Sequence, residues 1–284
     1  MNARFGPAGS SERYNAQKHK SSLEIPPYLR EFGLDHFEYQ CGRGVNVGEE
    51  KARAFGKVAA ENGITVSLHS PYYISLASVE EEKRLHSIDY ILQSARAVDW
   101  MGGIRVVVHS GTCGKISRAE AMEKAKDTLI RAQAALDAEG LSHIRLCPEP
   151  MGKINQLGDL EEVMQLCELQ ERFLPCLDFG HLNARTLGGI RTTEDFAAVL
   201  DTVQNRLGSE RASQFHAHFS KIEYTTGGEK RHLTFEDTVF GPDFSLLAPL
   251  LAQRGWSPVI VCESAGTQDD DALQMKQCYR EALR

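Results

Sequence analysis

Apolar, β-branched runs and helix-periodic stretches take turns along this chain. Runs that read as strands fall at 3–6, 36–40, 64–69, 104–109, 144–149, 174–178, 213–218 and 258–263. Helical patterning lies between them, near 21–32, 48–62, 79–101, 117–139, 157–170, 193–206, 243–254 and 270–283. The stretch 117–139 is the clearest, because Met122, Ala125, Leu129, Ala132 and Leu136 recur at helical spacing. Ser117 and Glu120 form a capping-box pattern at its start, and Gly140 suits the position just past its end. Ser78 and Glu81 repeat the capping pattern before 79–101. Eight strand-then-helix units at roughly 35-residue spacing predict an α/β fold, a (β/α)8 TIM barrel, rather than a doubly wound sheet. No GxGxxG follows a strand, so a dinucleotide-binding fold has no support. The segment 219–242, rich in Gly, Thr and charge, reads as a long loop. A loop of that length in a compact domain is usually functional or mobile.

Composition narrows this picture. The 284 residues are 42% hydrophobic and 25% charged, enough for one full barrel core, and a single domain over 1–284 is expected. The seven cysteines are scattered without a CxxC pair, so they read as small buried hydrophobes in a reducing cytoplasm. There is no apolar run of about eighteen residues and no charged–apolar leader, so neither a membrane span nor a secretory signal is expected. The net charge of −7 argues against a general nucleic-acid coat, which is usually basic. It leaves room for a nucleic-acid enzyme, because a metal cluster adds positive charge where carboxylates gather.

The strand-like runs share one chemical habit: they deliver metal-type ligands at their ends. His69, His109, Glu149, Asp178, His216 and Glu263 all fall there. His181 follows Asp178 by three residues, and His232 lies in the long loop with Glu229 as a ninth candidate. Zinc and related ions bind His nitrogen and carboxylate oxygen, and bridged sites need a carboxylate between ions. One strand-end His or Asp reads as a structural residue. The set predicts a polynuclear metal centre at the C-terminal mouth of the barrel. His216-Ala217-His218 puts two histidines on one strand face, of which one suffices as a ligand. His19, His36, His86 and His143 have no comparable setting and read as surface or structural.

Together these residues resemble the endonuclease IV family of apurinic/apyrimidinic endonucleases, within the wider xylose-isomerase-like barrels. The likeness runs from the first strand to Glu263. His69-Ser70-Pro71-Tyr72-Tyr73-Ile74-Ser75-Leu76-Ala77 resembles the family's His-x-x-Tyr-Leu-x-Asn-Leu-Ala segment, and Val108-His109-Ser110-Gly111 its strand-four His-Pro-Gly. Glu149 stands for the bridging glutamate, Asp178-Phe179-Gly180-His181 for Asp-x-x-His, His216 with Lys221 for His-x-x-x-x-Lys, and Glu263 for the last-strand glutamate. The resemblance implies a zinc-dependent hydrolase that cuts the DNA phosphodiester 5′ to an abasic site in base-excision repair, acting as a monomer. It implies one zinc on His69, His109 and Glu149, and a second on Glu149, Asp178, His216 and Glu263. A third falls to His181 and His232. Sites of this type also accept Mn or Fe. Glu149 and Glu263 take catalytic roles, bridging the ions and orienting the nucleophile. Tyr72, Arg43, Lys221 and Lys230 fall to the substrate.

The chain departs from the pattern at several points. Lys230 stands where the family has the third zinc's aspartate, so Glu229 shifts to serve, or that site is weak or lost. Lys230 itself then points to solvent or contacts the phosphate. The loop Cys41-Gly42-Arg43-Gly44-Val45-Asn46 is not the family's basic wedging loop, although Arg43 can substitute. Tyr73 replaces a leucine, Pro150–Gly158 lacks the Ala-Gly-x-Gly signature, and His218-Phe219-Ser220 replaces Asn-Asp. Two rival readings follow: a sugar isomerase or epimerase with one ion on Glu149, Asp178, His216 and Glu263, and a non-catalytic barrel derived from the endonuclease. The single-ion rival has no use for His69, His109, His181 and His232 together as ligands.

Overall fold

The computed structural model describes residues 3–284. Strand β1 (Arg4–Pro7) is followed by helix α1 (Glu12–Ala16), a 3-10 turn at Ser22–Glu24 and α2 (Ile25–Phe32). Strands and helices then alternate as β2 (His36–Gln40), α3 (Glu49–Glu61), β3 (Thr65–His69), α4 (Glu81–Trp100), β4 (Arg105–His109), α5 (Arg118–Ala138), β5 (Arg145–Glu149) and α6 (Leu160–Cys167). Next come β6 (Cys176–Asp178), α7 (Phe179–Arg185), α8 (Thr193–Ser213), β7 (His216–Phe219), the hairpin β8 (Ile222–Thr225) and β9 (Gly228–His232), α9 (Phe244–Arg254), β10 (Val259–Cys262) and α10 (Gln268–Ala282).

Eight of these strands form the barrel. They pair in parallel as β1-β10-β7-β6 and β2-β3-β4-β5. A bridge between Ala8 and Glu38 joins the two runs on one side, and the Leu174 N–H donates to the Leu146 carbonyl (3.2 Å) on the other. Alternation along each strand sorts the faces. Val66, Leu68, Val106, Val108, Leu146, Ile260 and Cys262 join the large apolar cluster beneath the helices. Val107, Cys147 and Cys176 point the other way and, with Leu174, make a small separate cluster inside the barrel. His69, His109, Glu149, Asp178, His218 and Glu263 share that inward parity and stand at the C-terminal ends. The fold therefore aims these side chains at one mouth.

The helices follow their sequence signals with a few differences. α5 buries Met122, Ala125, Leu129, Ala132 and Leu136, and its Ser117 cap accepts from the Glu120 N–H at 3.2 Å. Ser78 does not cap α4. Its Oγ accepts from Glu80, and the helix starts at Glu81 with Glu80 as an unassisted cap. α8 continues to Ser213 across a break at Gly208. The 219–242 segment is not structureless: the antiparallel β8–β9 hairpin occupies its first half. Six of the seven cysteines are buried and all are free thiols. Among the described residues, no helix is long and apolar enough to cross a membrane.

Candidate metal centre

Glu149 ends β5 and is fully buried, and its two oxygens face different partners. Oε2 lies 3.0 Å from His109 Nε2 and 3.4 Å from His69 Nε2. Oε1 lies 2.7 Å from His218 Nδ1, which is itself 3.5 Å from Glu263 Oε2. Asp178 completes this second set, so Glu149, Asp178, His218 and Glu263 each offer an atom within 4.8 Å of the others. A third set, His181, Glu229 and His232, meets the same spacing. Donors bound to one ion at about 2.0–2.2 Å sit roughly 3.5 Å apart, so all three sets have the span of ion sites.

Two further observations test the fit to metal. Glu149 Oε2 and Asp178 Oδ2 are buried and lack a hydrogen bond of good geometry. Their nearest donors, His109 Nε2 at 3.0 Å and His181 Nδ1 at 2.8 Å, are poorly aligned, and buried carboxylate oxygens so placed are costly unless a cation satisfies them. The histidines are also turned as ligands: Nδ1 of His69 meets the Ser70 carbonyl (2.8 Å) and Nδ1 of His181 the Pro150 carbonyl (3.0 Å). In the neutral ring each Nδ1 must then carry the proton, so Nε2, on the carboxylate side, is the nitrogen left for an ion. The donor chemistry fits divalent ions of the zinc type.

Without an ion, protons hold the cluster together. Burial alone would lower the His69 pKa, but the Glu149 hydrogen bond and charge outweigh it and raise the pKa to about 9. The same contest, with Asp178 as chief partner, lifts His181 to about 10. Burial pushes the Glu149 carboxyl up, while His218 and the bonds from His109, His218 and His69 hold it well below the usual carboxylate range.

The third set depends on a β-bulge. In the hairpin Glu223 pairs with Arg231, but Tyr224 pairs with Glu229, leaving Lys230 as the extra residue. One extra residue reverses the facing of the strand beyond it. Glu229 and His232, three apart, thereby turn to the same side: Glu229 Oε2 is 3.4 Å from His181 Nε2 and Oε1 is 3.9 Å from His232 Nε2. Lys230 goes to the outer face and pairs with Glu223 at 2.6 Å. Gly152 makes room for this arrangement, since a Cβ there would lie 2.6 Å from Glu229 Cβ and 2.8 Å from His181 Cδ2.

His216, expected with the mouth ligands, stands deeper in the barrel, where it forms a separate set with Cys176 and His218. The β7 register sets it opposite Cys176, and His218 opposite Asp178, so His216 lies one inward position deeper. Its Nε2 meets Glu38 Oε2 at 2.8 Å, and its Nδ1 is buried without a partner. Burial, ahead of its other interactions, lowers its pKa to about 4. Lys221 is also placed differently from expectation, since its ammonium donates to the carbonyls of Phe235 (3.0 Å) and Asp237 and pins the 233–240 loop. Of the two placements expected for Lys230, the structure shows the outward one: its side chain is exposed and pairs with Glu223.

Sequence reading missed Glu38. It is fully buried on the inward face of β2, with His36 and Gln40 on either side. Polar residues at alternate positions of an otherwise apolar strand were the available signal.

Around the mouth, Tyr72 and Tyr73 are 57% and 48% exposed, with ring centroids 4.4 Å apart. The Tyr72 N–H donates to the Gly42 carbonyl (3.3 Å), which brings the exposed Arg43 loop beside them. On the His232 side opens a cleft of about 450 Å³, lined by Arg231, His232, Leu233, Thr234, Glu236, Asp237 and Ala265.

A family model described as xylose isomerase-like TIM barrel matches residues 27–283. The chain is 34% identical over 277 residues, 98% of its length and 97% of the relative's, to an uncharacterised protein of Methanocaldococcus jannaschii. It is 26% identical over 185 residues to a probable endonuclease 4 of Aster yellows witches'-broom phytoplasma, covering 62% of this chain and 61% of that relative. Among solved structures, a D-tagatose 3-epimerase-like protein superimposes with a TM-score of 0.74 at 18% identity, over 99% of this chain and 97% of that one. That last likeness is one of fold alone.

Proposed function

Because the chain belongs to the xylose isomerase-like TIM barrels, we propose that it is a metal-dependent phosphodiester hydrolase of the endonuclease IV type, cleaving DNA at abasic sites. One observation carries this reading. His69 and His109 on one side of Glu149, and His181 and His232 beside Glu229, extend the donor set well beyond a single-ion site. A sugar epimerase with one ion has no role for four such histidines. The partial match to a probable endonuclease 4 supports the same choice.

Divalent ions bound here would supply Lewis acidity to a phosphoryl oxygen and bring the pKa of water toward neutrality. The protein's own work is positional. Glu149 faces both inner donor sets at once and fixes their separation. Glu263 is partly exposed at the rim, where its carboxylate can orient the attacking water or hold its proton. Tyr72 and Tyr73 offer ring faces to bases flanking the gap, each stack contributing about 1–3 kcal/mol. Arg43 supplies a cation for the backbone phosphate beside them.

A duplex carrying one abasic site tests the reading. The zinc- or manganese-loaded protein should nick it on the 5′ side and leave a 3′-hydroxyl, and chelation should abolish the nick. The set of Glu149, Asp178, His218 and Glu263 could by itself hold one ion, which favours the epimerase as second reading. An intact duplex together with turnover of a ketose would decide for that alternative.

A further inference from the structure

We propose that Glu38 is a positioning residue of the metal centre, fixing the tautomer of His218 so that Nδ1 rather than Nε2 faces the ions. This role presupposes the metal centre described above.

Glu38 lies one inward position below the mouth and belongs to none of the three donor sets. Its Oε1 accepts from His218 Nε2 at 2.9 Å and from Gln40 Nε2 at 3.1 Å. Its Oε2 accepts from His216 Nε2 and Ser67 Oγ, both at 2.8 Å. Four donors thus fix the carboxylate plane from both sides. An ionised carboxylate only accepts, so the His218 nitrogen that meets it must carry the proton. A neutral imidazole has one N–H. The nitrogen that gives up its proton to an ion is then Nδ1, which lies 2.7 Å from Glu149 Oε1 and 3.5 Å from Glu263 Oε2. A carboxylate behind a ligating histidine orients the ring and raises its basicity.

A purely structural role explains less. A buried carboxylate is expensive unless fully bonded, and other strands fill the barrel interior with Val107, Cys147 and Cys176 instead. His216 fits the positioning role: although it is not at the mouth, it locks the second oxygen of Glu38. His36 in turn meets Ser67 Oγ at 2.9 Å and holds that hydroxyl in place.

Cobalt(II) is the probe. Glu38→Gln keeps the size of the side chain but turns one acceptor into a donor, which opposes the His218 N–H or the pair on the other oxygen. It should bind cobalt about 10–100-fold more weakly than wild type. Its visible d–d absorption should shift, while far-ultraviolet circular dichroism stays unchanged. Equal affinity and an identical spectrum would overturn the role of Glu38. Should the variant fail to fold, cadmium-loaded wild type with isotope-labelled histidine decides by NMR. Cadmium coupling through His218 Nδ1 supports the proposal, and coupling through Nε2 overturns it. A wild type that takes up neither cobalt nor cadmium removes the metal centre itself, an outcome distinct from either variant result.

Discussion

At the residue scale, Glu149 and Glu263 differ in what they touch. Glu149 is enclosed by His69, His109 and His218, whereas Glu263 meets His218 and the rim. Glu149→Gln should therefore lose bound metal as well as activity, read by elemental analysis. Glu263→Gln should keep most substrate binding and lose turnover by about 10²–10⁴-fold, the range for a proton-handling group. Unchanged turnover of an active enzyme would remove Glu263 from the reaction. Titration adds a further expectation. His69 and His181 stand at about 9 and about 10 in the ion-free protein, above an ordinary histidine value of about 6.5. Their contacts stabilise the fold fully below about pH 6.5, and that contribution disappears as pH rises through about 9 to 10. Metal needs the neutral rings, so zinc binding releases protons and tightens across the same window. Calorimetry should find the melting point of chelated protein falling over this range and the increment from zinc growing. A zinc increment independent of pH would contradict these assignments.

At the scale of elements, the β9 bulge makes the third donor set. Lys230→Ala removes only a surface pair with Glu223, worth little in water, and should leave metal content unchanged. Deleting Lys230 removes the bulge, turns Glu229 away from His181 and His232, and should lower metal content. If the deletion retains the same ion count, the bulge does not position a ligand. The barrel helices obey simpler rules. Leu129 is fully buried in α5, and Leu129→Ala should cost about 2–5 kcal/mol in a denaturant titration.

The same contrast explains what the sequence made legible. Apolar periodicity announces α5, and β-branched runs announce β3 and β4, because burial of a continuous face dictates them. Strand-end His69, His109 and Glu149 were readable for the same reason. The bulge at Lys230 and the choice of His218 over His216 depend on register, which is set by pairing with distant strands. Glu38 acquires its two histidine partners only when β2 and β7 face each other across the closed barrel, 178 residues apart in sequence at His216.

For the molecule as a whole, and on the proposed hydrolase reading, the formal charge of −7 misstates the field at the mouth. Five carboxylates gather at this end, Glu149, Asp178, Glu229 and Glu263 with Glu38 beneath, and only bound cations make such a mouth receptive to phosphate. The barrel brings strands from both halves of the chain together for that purpose, and the Tyr72–Tyr73 pair and the cleft beside His232 open on its rim. The central claim is that this mouth is a polynuclear centre and not a single-ion site. Metal stoichiometry by inductively coupled plasma mass spectrometry, on protein loaded with zinc and freed of excess, tests it most directly. At least two ions per chain are predicted, with a further one lost when Lys230 is deleted. About one ion per chain, held by Glu149, Asp178, His218 and Glu263 alone, would contradict the claim and favour the epimerase.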